Sequence, residues 1–535
     1  MGREVNMDSI RALEKQIEGG KRYTITLKRA RNLLLNISTR VPPEILGDVF
    51  AWCLVPEASC SSHSQPHFKG LRKRSHNFLL VCHHWFQVAS RTPRLWSFWG
   101  NTLRDWKKYH HRWAGISPLD LVLDGGECDF HTHFDKSLQD AVRIGVMRDT
   151  IRQIHLVSDD SAILSPIISS LTPNDESAQN ENIESIVWRK RGFYPVDVSD
   201  FFARSVLSKL RFLALYGNLR ISSWDRLASR TTLLTTLSLE ISNPSPKPAP
   251  APTISQLFSI LSSNPNLQEV TLTDAALPKD VDGSTFQVPL DRLKKLSLSG
   301  EYRRLFGLLR QLTLPETMDG FRLDCHNPTV EEISQQLGPY MRDYFRRGTR
   351  FQDTLEVFSR SPTRSVSVLV TLPYSTAALV TLAVVSDDLL PPDVAERFFV
   401  NLIASVPRER VVIFGVDINT ELPEELYFTM PNIEKMQFFG LELSEGLLQP
   451  NPDGPHANTK LFPSLQSLVL DFINTDDDDD WGHLIAYLAH QTSGGQIISL
   501  QVISDPPCIP PEVVNQVEGL VENFSWCSSV DVWDE

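Results

Sequence analysis

The residues with the plainest capacity for chemistry in this 535-residue chain are histidines and carboxylates at close spacing. In CDFHTHFD, residues 128–135, an extended backbone would point Asp129, His131, His133 and Asp135 to one side, and a His-x-His pair on a strand is a metal-ligand pattern. A catalytic centre of that kind needs further His and Asp ligands at later strand ends and an apolar strand leading in. Gly125-Gly126-Glu127 leads in instead, so the segment reads as a polar loop. His83-His84, beside Cys82, lies among apolar residues at helical spacing, a setting for packing more than for ligation. In TDDDDDW, residues 475–481, consecutive carboxylates on an extended strand cannot converge on one ion; ahead of WGHLIAYLAH they favour a helix N-terminus. The sequence has no Gly-rich phosphate loop, no G-x-S-x-G and no H-E-x-x-H. We therefore expect no enzyme, no metal and no cofactor.

The elements that would position any site come next. Hydrophobic residues make up 41% and charged residues 22%, which bounds a globular chain of more than one domain. Seven cysteines, an odd number without a C-x-x-C pair, argue against a disulfide framework and for a reducing compartment. The first twenty residues lack an apolar core, and Asn6 stands where a myristoylation site requires Ser or Thr. Residues 365–386 are uncharged over 22 positions, but Pro373, Tyr374 and several Ser and Thr interrupt the run, as two β-branched strands around a turn would. The expectation is a cytoplasmic or nuclear protein with no membrane span.

Charge is divided unevenly. The net −13 combines a front, residues 1–113, of 19 Lys and Arg against 8 Asp and Glu with a remainder of 33 against 57. The two balances are +11 and −24. So negative a body repels a polyanion over about 8–10 Å, which argues against nucleic acid. A protein with an acidic face fits the basic front better.

Within that front, Ile10, Leu13 and Ile17 repeat at helical spacing up to Gly19-Gly20, and Leu27, Ala30, Leu34 and Ile37 form a second set, so two short helices are expected over 1–39. Pro42 and Pro43 suit a helix start, after which Ile45, Leu46, Val49, Phe50 and Cys53 make an apolar stripe. Phe78, Val81, Cys82, Trp85 and Val88 make another, and Leu95, Trp96, Phe98 and Trp99 follow Thr92-Pro93. Six of 11 tryptophans precede residue 114, more aromatic surface than a helical unit of about 60 residues buries alone.

RVPPEILGDVFAWCLV at 40–55 and NFLLVCHHWFQVASRTPRLWSFW at 77–99, after LKRARNLLLNIS, resemble the F-box family as it occurs in mushroom-forming fungi. Val41 replaces the usual Leu, and a polar loop at 56–76 is inserted between the two stripes. The resemblance spans roughly 8–99 and gives an F-box over 40–113. It implies a substrate-receptor adaptor of an SCF-type cullin–RING ubiquitin ligase, acting in protein degradation. Pro42, Ile45, Leu46, Val49, Phe50, Val81, Cys82, Trp85, Leu95 and Trp96 would contact the Skp adaptor or support that contact, and the nearby Arg and Lys would steer an acidic partner.

From 114 to 535 the pattern changes to short alternating segments: PLDLVLDG, IRQIHLVS, IESIVWRK, LRFLALYGN, LTTLSLE, LQEVTLTD, LKKLSLSG, GFRLDC, LVTLAVVS, RVVIFGVD, IEKMQFFG, LQSLVLDF and ISLQVIS. Anchors at Leu121, Ile154, Ile186, Leu213, Leu237, Val270, Leu296 and Phe321, and again at Leu382, Val412, Met436, Leu468 and Leu500, recur every 24–33 residues. The gap between 321 and 382 leaves room for a unit near Val368. This pattern predicts an irregular leucine-rich-repeat-like solenoid, strands alternating with helical returns such as ISQLFSILSSNPN, and an extended Pro-rich loop at 242–252. The fold class expected is thus α+β or α/β: a helical F-box followed by the solenoid, which would hold an unknown target protein. A solenoid scaffold for protein–protein interaction without ligase assembly is the alternative. An amidohydrolase-like metalloenzyme, which the His-x-His pair resembles, is a distant third.

Overall fold

The computed structural model describes residues 15–21, 23–28, 41–54, 81–100, 117–124, 150–158, 161–173, 181–192, 194–241, 251–273, 276–278, 287–316, 318–347, 353–361, 365–371, 378–385, 397, 400–401, 411–417, 432–439, 464–471, 482, 485, 488–489, 497–504 and 511–528. It is a mixed α/β protein with a large parallel sheet and several helices. The chain forms two compact units, Met1–Gly192 with Arg204–Lys209, and Phe193–Ala203 with Leu210–Glu535.

In the first unit, helix α1 (Pro43–Leu54) and helix α2 (His83–Ser90) are followed by a 3-10 turn, Pro93–Trp96. The chain then passes directly into strand β1 (Phe98–Gly100), which pairs in parallel with β2 (Leu119–Asp124). β2 pairs with β3 (Ile151–Ser158), and β3 with β4 (Ser185–Lys190), again in parallel. Leu121, Ile154 and Ile186 fall on one register row and are 0–1% exposed. Helix α3 (Ser161–Leu171) packs on β3. Near the N-terminus, residues 15–21 and 23–28 are helical, so Gly19 and Gly20 do not stop the first helix as expected. Glycine costs a helix only about 1 kcal/mol relative to alanine, and neither glycine has a neighbour that a Cβ would strike.

The second unit carries, in chain order, β5 (Val196–Asp197), β6 (Phe212–Gly217), β7 (Leu219–Arg220), helix α4 (Trp224–Arg230), β8 (Thr236–Ile241), helix α5 (Ile254–Ser262) and β9 (Glu269–Thr273). It continues with β10 (Val288–Pro289), β11 (Lys295–Glu301), helix α6 (Tyr302–Leu309), β12 (Leu312–Thr313), β13 (Gly320–His326) and helix α7 (Gly338–Arg347). β6, β8, β9, β11 and β13 pair in parallel, each with the next. Register makes the rows regular. Leu213, Leu237, Val270, Leu296 and Phe321 form one, and Leu215, Leu239, Leu272, Leu298 and Leu323 the next, the second being 0% exposed throughout. Each such leucine contributes about 1.5–3 kcal/mol of burial, which no single strand–helix unit could realise alone. β5 with β7 and β10 with β12 make short parallel pairs.

The chain then departs from the repeating pattern. β14 (Asp353–Ser361), β15 (Ser365–Thr371) and β16 (Ala378–Val385) form an antiparallel meander, with β13 paired to β16 and β14 to β17 (Val411–Asp417). The uncharged run at 365–386 therefore contains two antiparallel strands, the strand pair its composition predicted; the turn expected between them, at 372–377, lies outside the described residues. The unit expected near Val368 is not a further parallel repeat. This insertion also shifts two anchors: Val380, not Leu382, opposes Phe321, and Phe414, not Val412, opposes Met436. Both shifts are two residues, which preserves the face of the strand. β18 (Lys435–Phe439), β19 (Ser467–Asp471), β20 (Ser499–Ser504) and β21 (Asn523–Ser528) resume the parallel order, with helix α8 (Pro511–Glu518) before the last. All thirteen alternating segments are strands; β1, β5, β7, β10, β12, β14, β15 and β21 were not among them.

Two polar devices hold these turns. Thr253 caps α5 in a capping box with Gln256, satisfying two helix-end donors. Asn264, 0% exposed, accepts from the Leu234 N–H at 2.9 Å and donates to the Ile260 carbonyl at 2.8 Å, fastening the helix end to the chain entering β8. Asn218, directly after β6, is buried at 2%. Among the described residues no helix is long and apolar enough to cross a membrane.

Candidate functional site

The site built by sequence pattern is the helical segment of the first unit. α1 starts where Pro42 and Pro43 predict, with the Leu46 N–H donating to the Pro42 carbonyl at 3.0 Å. Proline costs nothing at this end, where the N–H would lack a partner anyway. The helix comes so close to the next segment that a Cβ at Gly47 would sit 2.7 Å from Thr92 Oγ1. Glycine is required there by proximity.

α2 begins only at His83, so the stripe read through Phe78, Val81, Cys82, Trp85 and Val88 is interrupted at Cys82. Cys82 is extended (φ −161°, ψ 169°) and caps the helix, its Sγ accepting from the Trp85 N–H at 3.4 Å. Val81 is helical, and the extended Cys82 separates it from α2. Phe50 and Trp85 join α1 to α2 with ring centroids 4.7 Å apart at 53°. The indole N–H of Trp96 donates to the Ala89 carbonyl at 2.6 Å, and Thr92 Oγ1 donates to the Val88 carbonyl at 2.8 Å, locking the 3-10 turn under α2.

The ten residues singled out for docking divide by exposure. Leu46, Phe50, Leu95 and Trp96 are 5%, 1%, 1% and 1% exposed and form the segment's own core. Cys82 and Trp85 are half-buried, and Pro42 is exposed. Ile45, Val49 and Val81 keep 53%, 48% and 53% of their surface, and Phe86, which the pattern missed, keeps 39%. Ile45 and Val49 are four residues apart and share one face of α1. The segment is thus internally packed while apolar side chains of both its parts face outward.

It is also tied to the strands that follow. The Asp120 N–H donates to the Ser97 carbonyl at 2.8 Å, and Phe98 is in register with Asp120. The Asp120 carboxylate, 3% exposed, takes a bidentate contact from Arg152, whose Nη2 lies 2.7 Å from Oδ2 and whose Nε lies 3.1 Å from Oδ1. Burial raises the Asp120 pKa above its ordinary value, against the opposing pull of Arg152 and then Arg94. On β3, His155 Nε2 is sealed from water although the residue keeps some surface; burial first, then Arg189, pushes its pKa down to about 4.

No group of three or more His, Cys, Asp or Glu side chains among the described residues could hold a metal ion. His83 Nε2 lies 3.1 Å from Gln87 Nε2 on the exposed side of α2, a helical i, i+4 contact. The segments CDFHTHFD and TDDDDDW, the inserted loop 56–76, and 242–250 of the Pro-rich loop lie outside the described residues. Set against known proteins, the sequence matches no protein-family model and no curated protein.

Proposed function

We propose that this chain is a substrate receptor of an SCF-type cullin–RING ubiquitin ligase in the cytoplasm or nucleus. The helical segment is its F-box, docking the Skp adaptor. The strands that follow are an irregular leucine-rich-repeat-like solenoid that carries the target protein, and the gain in rate comes from bringing target and ubiquitin-loaded enzyme together.

One observation carries the reading: a segment with its own well-packed core leaves Ile45, Val49, Val81 and Phe86 exposed. An exposed apolar set next to a basic front of +11 suits a partner with an apolar groove and an acidic rim. Direct contact falls to those four and to Pro42, Cys82 and Trp85; Leu46, Phe50, Leu95 and Trp96 support them from beneath. The test is co-expression of the full chain with a Skp adaptor followed by size-exclusion chromatography. Co-elution as a 1:1 complex is the expected result. A chain that elutes alone at every adaptor ratio overturns the ligase reading and leaves the solenoid scaffold.

A further inference from the structure

We propose that the open face of β8, β9, β11 and β13 binds an extended, Lys- or Arg-bearing segment of a partner protein. One face of these strands is closed: Leu296, Leu298, Phe321, Leu323 and Cys325 are 0–3% exposed, α6 packs on β11 and β13, and Phe321 stacks on Tyr344 of α7 at 5.6 Å. The opposite face is polar and built of short side chains. Ser238, itself buried, Thr271, Ser297 and Arg322 form one row in register, and Thr273, Ser299 and Asp324 the next. Hydroxyl rows at the strand spacing of about 4.8 Å leave a shallow floor on which an extended chain can lie and find hydrogen-bond partners.

Charge identifies the occupant. Among the described residues Glu240, Glu269, Glu301 and Asp324 stand on this face with Lys295 and Arg322 as its two cations; His326 faces Glu301 in register, and Glu301 also pairs with Arg304 at 2.9 Å. Both cations are engaged locally, Lys295 with Glu269 at 3.3 Å and Arg322 with Asp324 at 2.9 Å. They are the more exposed member of each pair, at 60% against 29% and 43% against 16%, so an incoming ammonium or guanidinium can replace them. Asp324 Oδ1 is sealed from water with no hydrogen-bond partner among the described residues, an acceptor whose desolvation a new donor would relieve. The balance of −24 over residues 114–535 steers a basic partner toward this unit and repels an acidic one.

This deepens the target-binding half of the proposed function and rests on it, without requiring the adaptor. The experiment is fluorescence anisotropy of the full chain, adaptor absent, with a labelled peptide of about twelve residues alternating Lys and Thr and a matched peptide alternating Glu and Thr. Binding of the Lys peptide alone is expected, weakened by salt and reduced roughly tenfold or more by Glu240→Gln with Glu301→Gln. Glu512→Gln with Glu518→Gln on the exposed surface of α8 is the charge-matched control, expected to change affinity less than about twofold. The proposal is overturned if neither peptide binds, if both bind alike, or if the control weakens binding as much as the face variant does. Thermal melts of each variant establish that the protein is folded. Adaptor co-elution involves no peptide, so failure of one test is distinguishable from failure of the other.

Discussion

In α1, Ile45 and Val49 share a helical face and keep 53% and 48% of their surface, whereas in the ladder from β8 to β13 Leu239, Leu272, Leu298 and Leu323 share a sheet face and are 0% exposed. Both sets follow the apolar period of their element. The ladder finds its cover within its own unit, because each strand brings a helix or turn that closes the same face as its neighbours. The helical segment is different: Phe50, Trp85, Leu95 and Trp96 fill its interior, and a second apolar surface is left over. Periodicity marks a face that needs covering and is silent on who covers it.

The sharpest break in this comparison is between core and surface leucines and isoleucines of similar size. Leu298→Ala should cost about 2–5 kcal/mol, read as a lower denaturation midpoint, because the leucine row cannot collapse into the space without moving strands on both sides. Leu46→Ala, 5% exposed at the wild-type residue, should behave likewise for the helical segment, while Ile45→Ala stays within about 0.5 kcal/mol of wild type. Equal destabilisation by Leu46→Ala and Ile45→Ala would erase the distinction between the segment's inner and outer faces.

Binding should invert that order. Ile45→Ala combined with Val49→Ala is expected to weaken adaptor binding by about 2–4 kcal/mol, roughly 30- to 1000-fold by titration calorimetry, at unchanged melting temperature. A folded Leu298→Ala protein should bind as wild type does. If the double variant binds normally, the exposed surface of α1 has another purpose.

A smaller effect separates the first unit's strands from its helices by pH. The His155 pKa of about 4 lies below its unfolded value near 6.5, so the unfolded chain takes up the proton first. Stability contributed by the neutral ring is therefore complete above about pH 6.5 and declines toward pH 4, by at most about 1.4 kcal/mol per unit. His155→Phe should flatten that slope in urea titrations run at several pH values, and an unchanged slope would assign the acid sensitivity to another group. The least effect expected is at the turns: Thr253→Ala removes half of a capping box and should cost about 1 kcal/mol, whereas Thr253→Ser should be nearly neutral.

What the sequence determined by itself was the type and face of each element. Period-two alternation placed thirteen of the strands, and the proline pair placed the start of α1, because both are local consequences of backbone geometry and side-chain direction. The segment at 365–386 was readable as two strands because Pro373 and its Ser and Thr neighbours are incompatible with one continuous span. Only the tertiary structure decided the order of those strands in the sheet, where an antiparallel meander takes the place of a repeat and moves the Leu382 and Val412 anchors by two residues. It alone decided that Cys82 caps α2, that β1 extends the sheet back to residue 98, and that Asp120 pairs with Arg152. These are contacts between positions distant in sequence, or choices between local conformations of similar energy, and a one-dimensional pattern contains no information on which neighbour tips the balance.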